Sequence, residues 1–184
     1  MVFSLCNIFD TKGVSMKRLI AAVLALAIFG MAPASAHQPV DLLDSDSTPS
    51  AGPLLVDGTV SFAIRASFTK SGQKKAFRAA LKEGDQLDVQ YLIIDKKPEN
   101  KLKNSKLPIL VITSPSGKKT TMKFTERTEF LETYSRTMYL YLSRISEVAE
   151  AGIYSFVITA RSKAAITLGV GVKEVPGEVV RASN

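Results

Sequence analysis

Three groups of side chains in this chain are of types that carry chemistry. Glu126, Glu129, Glu132, Glu147 and Glu150 crowd one segment, and two carboxylates facing a common cleft can serve as the acid and base of a glycosidase. Tyr134, Tyr139 and Tyr141 occur in the same stretch with Arg136 and Arg144. Tyrosines at positions 139 and 141 of a strand share a face, and amphipathic rings beside guanidinium groups suit a protein or carbohydrate partner. The third group is His37 with Asp41 and Asp44, an imidazole followed by carboxylates that could hold a metal ion.

Other chemistries are excluded. His37 is the only histidine and lies outside the predicted folded part, and there is no Gly-x-Ser-x-Gly elbow, so a serine triad is ruled out. A phosphate-cradling glycine loop is also missing. The single cysteine, Cys6, falls in a segment predicted to be removed. Without it the chain has no disulfide, no thiol nucleophile and no thiolate metal ligand.

The elements that must position these groups begin after residue 36. From Met16, which has the look of the true start, the chain reads Lys17-Arg18, then an alanine-rich apolar run from Leu19 to Phe29, then Ala34-Ser35-Ala36. A positive start, a short apolar core and small residues at −3 and −1 make a secretory signal, with cleavage predicted after Ala36. The competing reading keeps this segment as an amino-terminal membrane anchor. Cleavage implies export to the cell surface, periplasm or medium and leaves no transmembrane span. Loss of Lys12, Lys17, Arg18 and Asp10 takes the 24 basic and 17 acidic residues to 21 and 16, about +5. The lysines cluster at predicted loops and strand ends, as on a solvated surface. Export and the lack of an aromatic-basic motif argue against nucleic acid as a partner.

Residues 37–56 are rich in Ser, Asp, Pro and Gly, which predicts an extended arm pinned by Leu42 and Leu43. From residue 57 to 173 the pattern has period two, so that alternate side chains share a face. Val60 to Phe68 is the cleanest strand. Lys74 to Leu81 is read as a strand over a competing helix because Phe77, Ala79 and Leu81 keep the two-residue spacing. Gln86 to Asp95, with its uniformly apolar Leu92-Ile93-Ile94, suits the middle of a sheet. Further strands are expected at 107–113, 118–124, from after Ser135 through Leu142, at 152–160 and at 164–172, with an exposed lysine-rich loop at 96–106. For residues 126–135 a loop or short helix is expected, and the tail at 174–184 is expected to fray. About eight short strands between Gly, Pro, Ser and Asn turns predict a single antiparallel, jelly-roll-like β-sandwich.

Three segments carry a resemblance. They are Phe77-Arg78-Ala79-Ala80-Leu81-Lys82-Glu83-Gly84-Asp85-Gln86-Leu87-Asp88-Val89, then Ile109-Leu110-Val111-Ile112-Thr113-Ser114-Pro115-Ser116-Gly117, and Ala151-Gly152-Ile153-Tyr154-Ser155-Phe156-Val157-Ile158. Together they resemble the bacterial pre-peptidase carboxy-terminal domain, which implies a small sandwich acting as a non-catalytic accessory or binding module. That family usually carries acidic residues around the middle segment, whereas Leu107-Pro108-Ile109-Leu110 has none for a family-like calcium site. His37 at a processed terminus resembles the copper-binding start of lytic polysaccharide monooxygenases and secreted copper carriers. Their histidine brace needs a second histidine, so only a weaker site of amine, His37 and Asp41 or Asp44 is implied here. The expectation is a secreted, non-enzymatic β-sandwich that binds an envelope protein or glycan. Its alternatives are a copper-binding secreted protein and a glycosidase-like enzyme.

Overall fold

The computed structural model describes residues 37–181. The signal segment, Cys6 and the residues before the predicted cleavage point lie outside the described residues. Among the described residues no helix is long and apolar enough to cross a membrane.

Twelve strands form two six-stranded sheets that pack face to face. They are β1 (Gln38–Asp41), β2 (Leu54–Leu55), β3 (Phe62–Phe68), β4 (Lys74–Leu81), β5 (Gln86–Ile94), β6 (Ile109–Thr113), β7 (Lys119–Thr121), β8 (Thr128–Glu132), β9 (Thr137–Val148), β10 (Gly152–Thr159), β11 (Ala164–Val170) and β12 (Val179–Val180). The first sheet runs β1-β3-β11-β5-β9-β8 and the second β12-β2-β4-β10-β6-β7. Pairing is antiparallel except for β1 on β3 and β2 on β4, which are parallel. The fold is the all-β sandwich expected from the alternation, and all eight anticipated strands are present.

The core lies between the sheets because each strand points one alternate set inward. Phe62, Ile64, Ala66 and Phe68 of β3 meet Phe77, Ala79 and Leu81 of β4 and Tyr154, Phe156 and Ile158 of β10 within one buried cluster. Phe77 and Phe156, opposite each other in the β4–β10 register, stack with ring centroids 4.3 Å apart and planes 8° apart. Tyr91 on β5 is fully buried and donates its hydroxyl to the Pro108 carbonyl at 2.8 Å. That bond satisfies the one polar atom the ring brings into the core.

Four expectations are corrected. Residues 128–132 form strand β8 rather than loop or helix, and β9 extends to Val148 rather than ending at Leu142. The arm is built into the sandwich: β1 joins the first sheet, β2 the second, and Leu42 is buried. Lys75 anchors it, donating to the Leu42 carbonyl at 2.7 Å and pairing with Asp44 at 2.9 Å. The tail does not fray before Arg181. β12 pairs with β2, and Arg181 bonds the buried Asp46 carboxylate at 3.0 Å and the Asp41 carbonyl at 2.6 Å.

Candidate functional site

The segment that holds the tyrosines is a long hairpin at the edge of the first sheet. Leu140 and Leu142 of β9 point into the core, so Tyr139 and Tyr141 stand on the outer face, half-buried. The strand then breaks its alternation. Tyr141 pairs with Leu92 and Ser143 with Tyr91, which leaves Leu142 as a β-bulge. The extra residue returns Arg144 to the outer face, three positions after Tyr141 instead of two.

Arg144 uses this placement to brace the tyrosine. Its guanidinium carbon lies 4.8 Å from the centre of the Tyr141 ring, and its nitrogens bond both carboxylate oxygens of Glu126 at 2.9 and 2.7 Å. This bidentate pair lowers the Glu126 pKa, chiefly through the hydrogen bond from Arg144, and raises that of Arg144. From β8, Phe130 sits across from Tyr139 in register and packs on Tyr141 at 5.0 Å. Burial raises the Tyr141 hydroxyl pKa, so the ring is neutral across the physiological range.

The rest of the outer face supplies a floor and a far wall. A cavity of about 150 Å³ is lined by residues from all six strands of the sheet. Gly169 and Thr167 of β11, Ala63 of β3 and Gln90 of β5 make the floor, Tyr139, Tyr141 and Phe130 one wall, and Arg65 with His37 and Pro39 the other. The floor is open because Gly169 has no side chain: a Cβ there would come within 3.3 Å of Gln90 Oε1. The β8–β9 turn, with Tyr134 and Ser135, roofs one end.

Glu132 shapes that turn, accepting from the Tyr134 and Ser135 amides at 2.8 and 2.7 Å and from the Ser135 hydroxyl. These bonds, led by the Ser135 hydroxyl, hold its pKa below the ordinary 4.5. His37, just before β1, and Glu132 of β8 line the same cavity from opposite edges of the sheet. His37 itself bonds Ser61 through Nδ1.

The candidate residues thus separate by location. Tyr134, Tyr139, Tyr141 and His37 come together in the cleft. Arg144 stands behind Tyr141, and Arg136 sits at the hairpin tip with a left-handed φ of 53°. The metal group is not assembled. Asp41 is four residues along an extended strand from His37, roughly 13 Å, and Asp44 is paired with Lys75. Among the described residues no three His, Cys, Asp or Glu side chains are grouped as metal ligands.

The glutamates also disperse. Glu126 pairs with Arg144, and Glu132 holds the turn. Glu147 and Glu150 lie at a separate hollow with Tyr154 and Lys118, where Glu150 accepts from Ser116 at 2.8 Å. A glycosidase acid needs a carboxyl whose pKa is raised. Glu126, Glu132 and Glu150 are all shifted down, each chiefly by hydrogen bonds to its carboxylate.

Reasoning from the sequence missed Arg65, Gln90, Leu92, Thr167 and Gly169. Each lies on a strand read correctly, but their convergence depends on register across four strands. The bare outer side left by Gly169 was the one signal visible in the sequence.

No family model and no curated protein matches the chain. Among solved structures it is similar to the Salmonella Typhimurium PliG, a periplasmic lysozyme inhibitor of g-type lysozyme. That match has 10% identity and a TM-score of 0.35, and covers 74% of this chain and 98% of that one.

Proposed function

We propose that this is an exported, non-catalytic binding protein that recognises an envelope protein or glycan at the outer face of its first sheet. The observation that carries the reading is the cleft walled by Tyr139, Tyr141 and Phe130 and floored by Gly169, which leaves aromatic surface and polar groups facing outward together. Small-molecule and partner sites have this mixed character, with apolar walls and a few convergent polar groups. Export is supported by the signal-like run before His37.

A binding role fits the charges better than catalysis does. The carboxylates nearest the cleft, Glu126 and Glu132, are held ionised by partners that also fix local structure. Such groups support a surface and do not exchange protons near neutral pH.

Capture from the native envelope tests the proposal. Protein with Tyr139→Ala and Tyr141→Ala should retain at most a tenth of the material retained by the unaltered protein, while its thermal unfolding stays within a few degrees. Equal retention would place recognition elsewhere.

A further inference from the structure

On the reading that the cleft binds a partner, we propose that its ligand is an acidic saccharide, with a carboxylate held by Arg65 and a sugar ring against Tyr141. Arg65, Thr167, Leu92 and Tyr141 form one cross-strand row: Arg65 pairs with Thr167, Thr167 with Leu92, and Leu92 with Tyr141. Three strand spacings are about 14 Å along the sheet. Side chains stand roughly perpendicular to a sheet, so Arg65 and Tyr141 rise as walls at the two ends of this span, with Thr167 and Leu92 on the floor between them and room for one ring above.

Charge decides the ligand's sign. Among the described residues Arg65 is the one arginine that lines the cleft, and Arg144, behind Tyr141, is neutralised by Glu126. Arg65 is exposed and makes no hydrogen bond or ion pair through its side chain among the described residues. Asp41, in register beside it on β1, is not within ion-pair distance. The one carboxylate lining the cleft, Glu132, belongs to the opposite end and is bonded to its own turn. A planar guanidinium free on a cleft wall matches a carboxylate with two parallel bonds.

The surroundings favour a sugar over a peptide. A peptide adds to a sheet most readily along an edge strand, through main-chain bonds, whereas this cleft crosses the sheet's face. A pyranose has an apolar face and a rim of hydroxyls. The cleft offers aromatic walls with Gln90, Thr167, Ser135 and the tyrosine hydroxyls around them.

The test uses amide chemical shifts of the protein titrated with sodium D-glucuronate, with D-glucose as the neutral counterpart and N-acetylphenylalanine carboxylate as the peptide-like counterpart. Glucuronate should shift Thr167, Gly169, Gln90 and Tyr141 and bind at least tenfold more tightly than either of the others. Arg65→Gln should remove that preference over glucose, and Tyr141→Ala should weaken both sugars. Equal binding of glucuronate and glucose, no effect of Arg65→Gln, or no shift at the cleft would overturn the proposal. Tighter binding of N-acetylphenylalanine would overturn it in favour of a peptide occupant. Envelope capture lost in the tyrosine variants together with a silent glucuronate titration would retire the acidic sugar while leaving the binding role standing.

Discussion

Arg65 and Tyr141 lie on the same cross-strand row of the first sheet, linked through Thr167 and Leu92, although 76 residues separate them in the chain. The row sets Tyr141, a candidate from its residue type, opposite the unremarked Arg65 as the two walls of one cleft. The bulge at Leu142 matters equally, because it returns Arg144 to the face where it stacks on Tyr141.

The brace behind Tyr141 can be removed by itself. Arg144→Ala leaves the ring in place but takes away its cation–π contact and the partner of Glu126. Arg144 is solvent-exposed and its pairing with Glu126 is screened, so thermal stability should fall only slightly. Partner capture should weaken severalfold as Tyr141 gains freedom. Stability and capture measured on one preparation separate the two effects.

Acid should loosen the hairpin before the sandwich. The Glu132 pKa lies below its ordinary 4.5 because the Ser135 hydroxyl and the turn amides bond the carboxylate. A depressed folded-state pKa contributes stability that is complete above the unfolded value and lost as pH falls through the folded one. Amide exchange at Tyr134 and Ser135 should therefore accelerate as pH drops below about 4.5 after correction for intrinsic rates, while Phe156 in β10 stays protected. Glu132→Gln should show the faster exchange already at neutral pH.

The stacked pair at the centre of the core sets a different scale. Phe156→Ala removes a fully buried ring that lies on Phe77. Stability should fall by about 3–5 kcal/mol, read from the denaturant midpoint, because the neighbouring strands relax only partly into the cavity.

The tail is a structural element, so shortening it should carry a cost. Arg181→Ala leaves Asp46, which is buried, with only the Leu43 amide at 2.8 Å. A loss of about 1–3 kcal/mol is expected from the carboxylate left underpaired. Truncation after Val175 should cost more, since it also removes β12 from its pairing with β2 beside the buried Leu55. Unchanged unfolding in either variant would show that the tail adds nothing.

The eight strands anticipated from alternation were legible because each buries one side against the opposite sheet, as Phe62, Ile64 and Phe68 do. The other four lack that signal. β8 reads poorly because Glu129 and Leu131, on its inward side, remain exposed, so its polarity does not alternate. β1 is four residues long and contains proline and aspartate; β2 and β12 have two residues each and find one another across the whole domain. The same division holds for the cleft. Tyr139 and Tyr141 announced themselves by sharing a face with neither leucine. Arg65 and Gln90 looked like ordinary outward positions, and only the pairing of β3, β11, β5 and β9 brings them to the tyrosines. His37 was legible as an unusual residue but not as a cleft residue, because its partner Ser61 is set by the parallel pairing of β1 with β3.

The most direct test of the cleft as the recognition site is to fill it from below. In Gly169→Leu the new side chain rises from the floor between Ala63 and Gln90, and its nearest neighbour is the movable end of Gln90. The quantity to measure is envelope material retained per mole of folded protein, with folding confirmed by the amide spectrum. Retention should drop at least tenfold while the sandwich resonances remain in place. Full retention by a folded protein with the cleft filled would contradict the account.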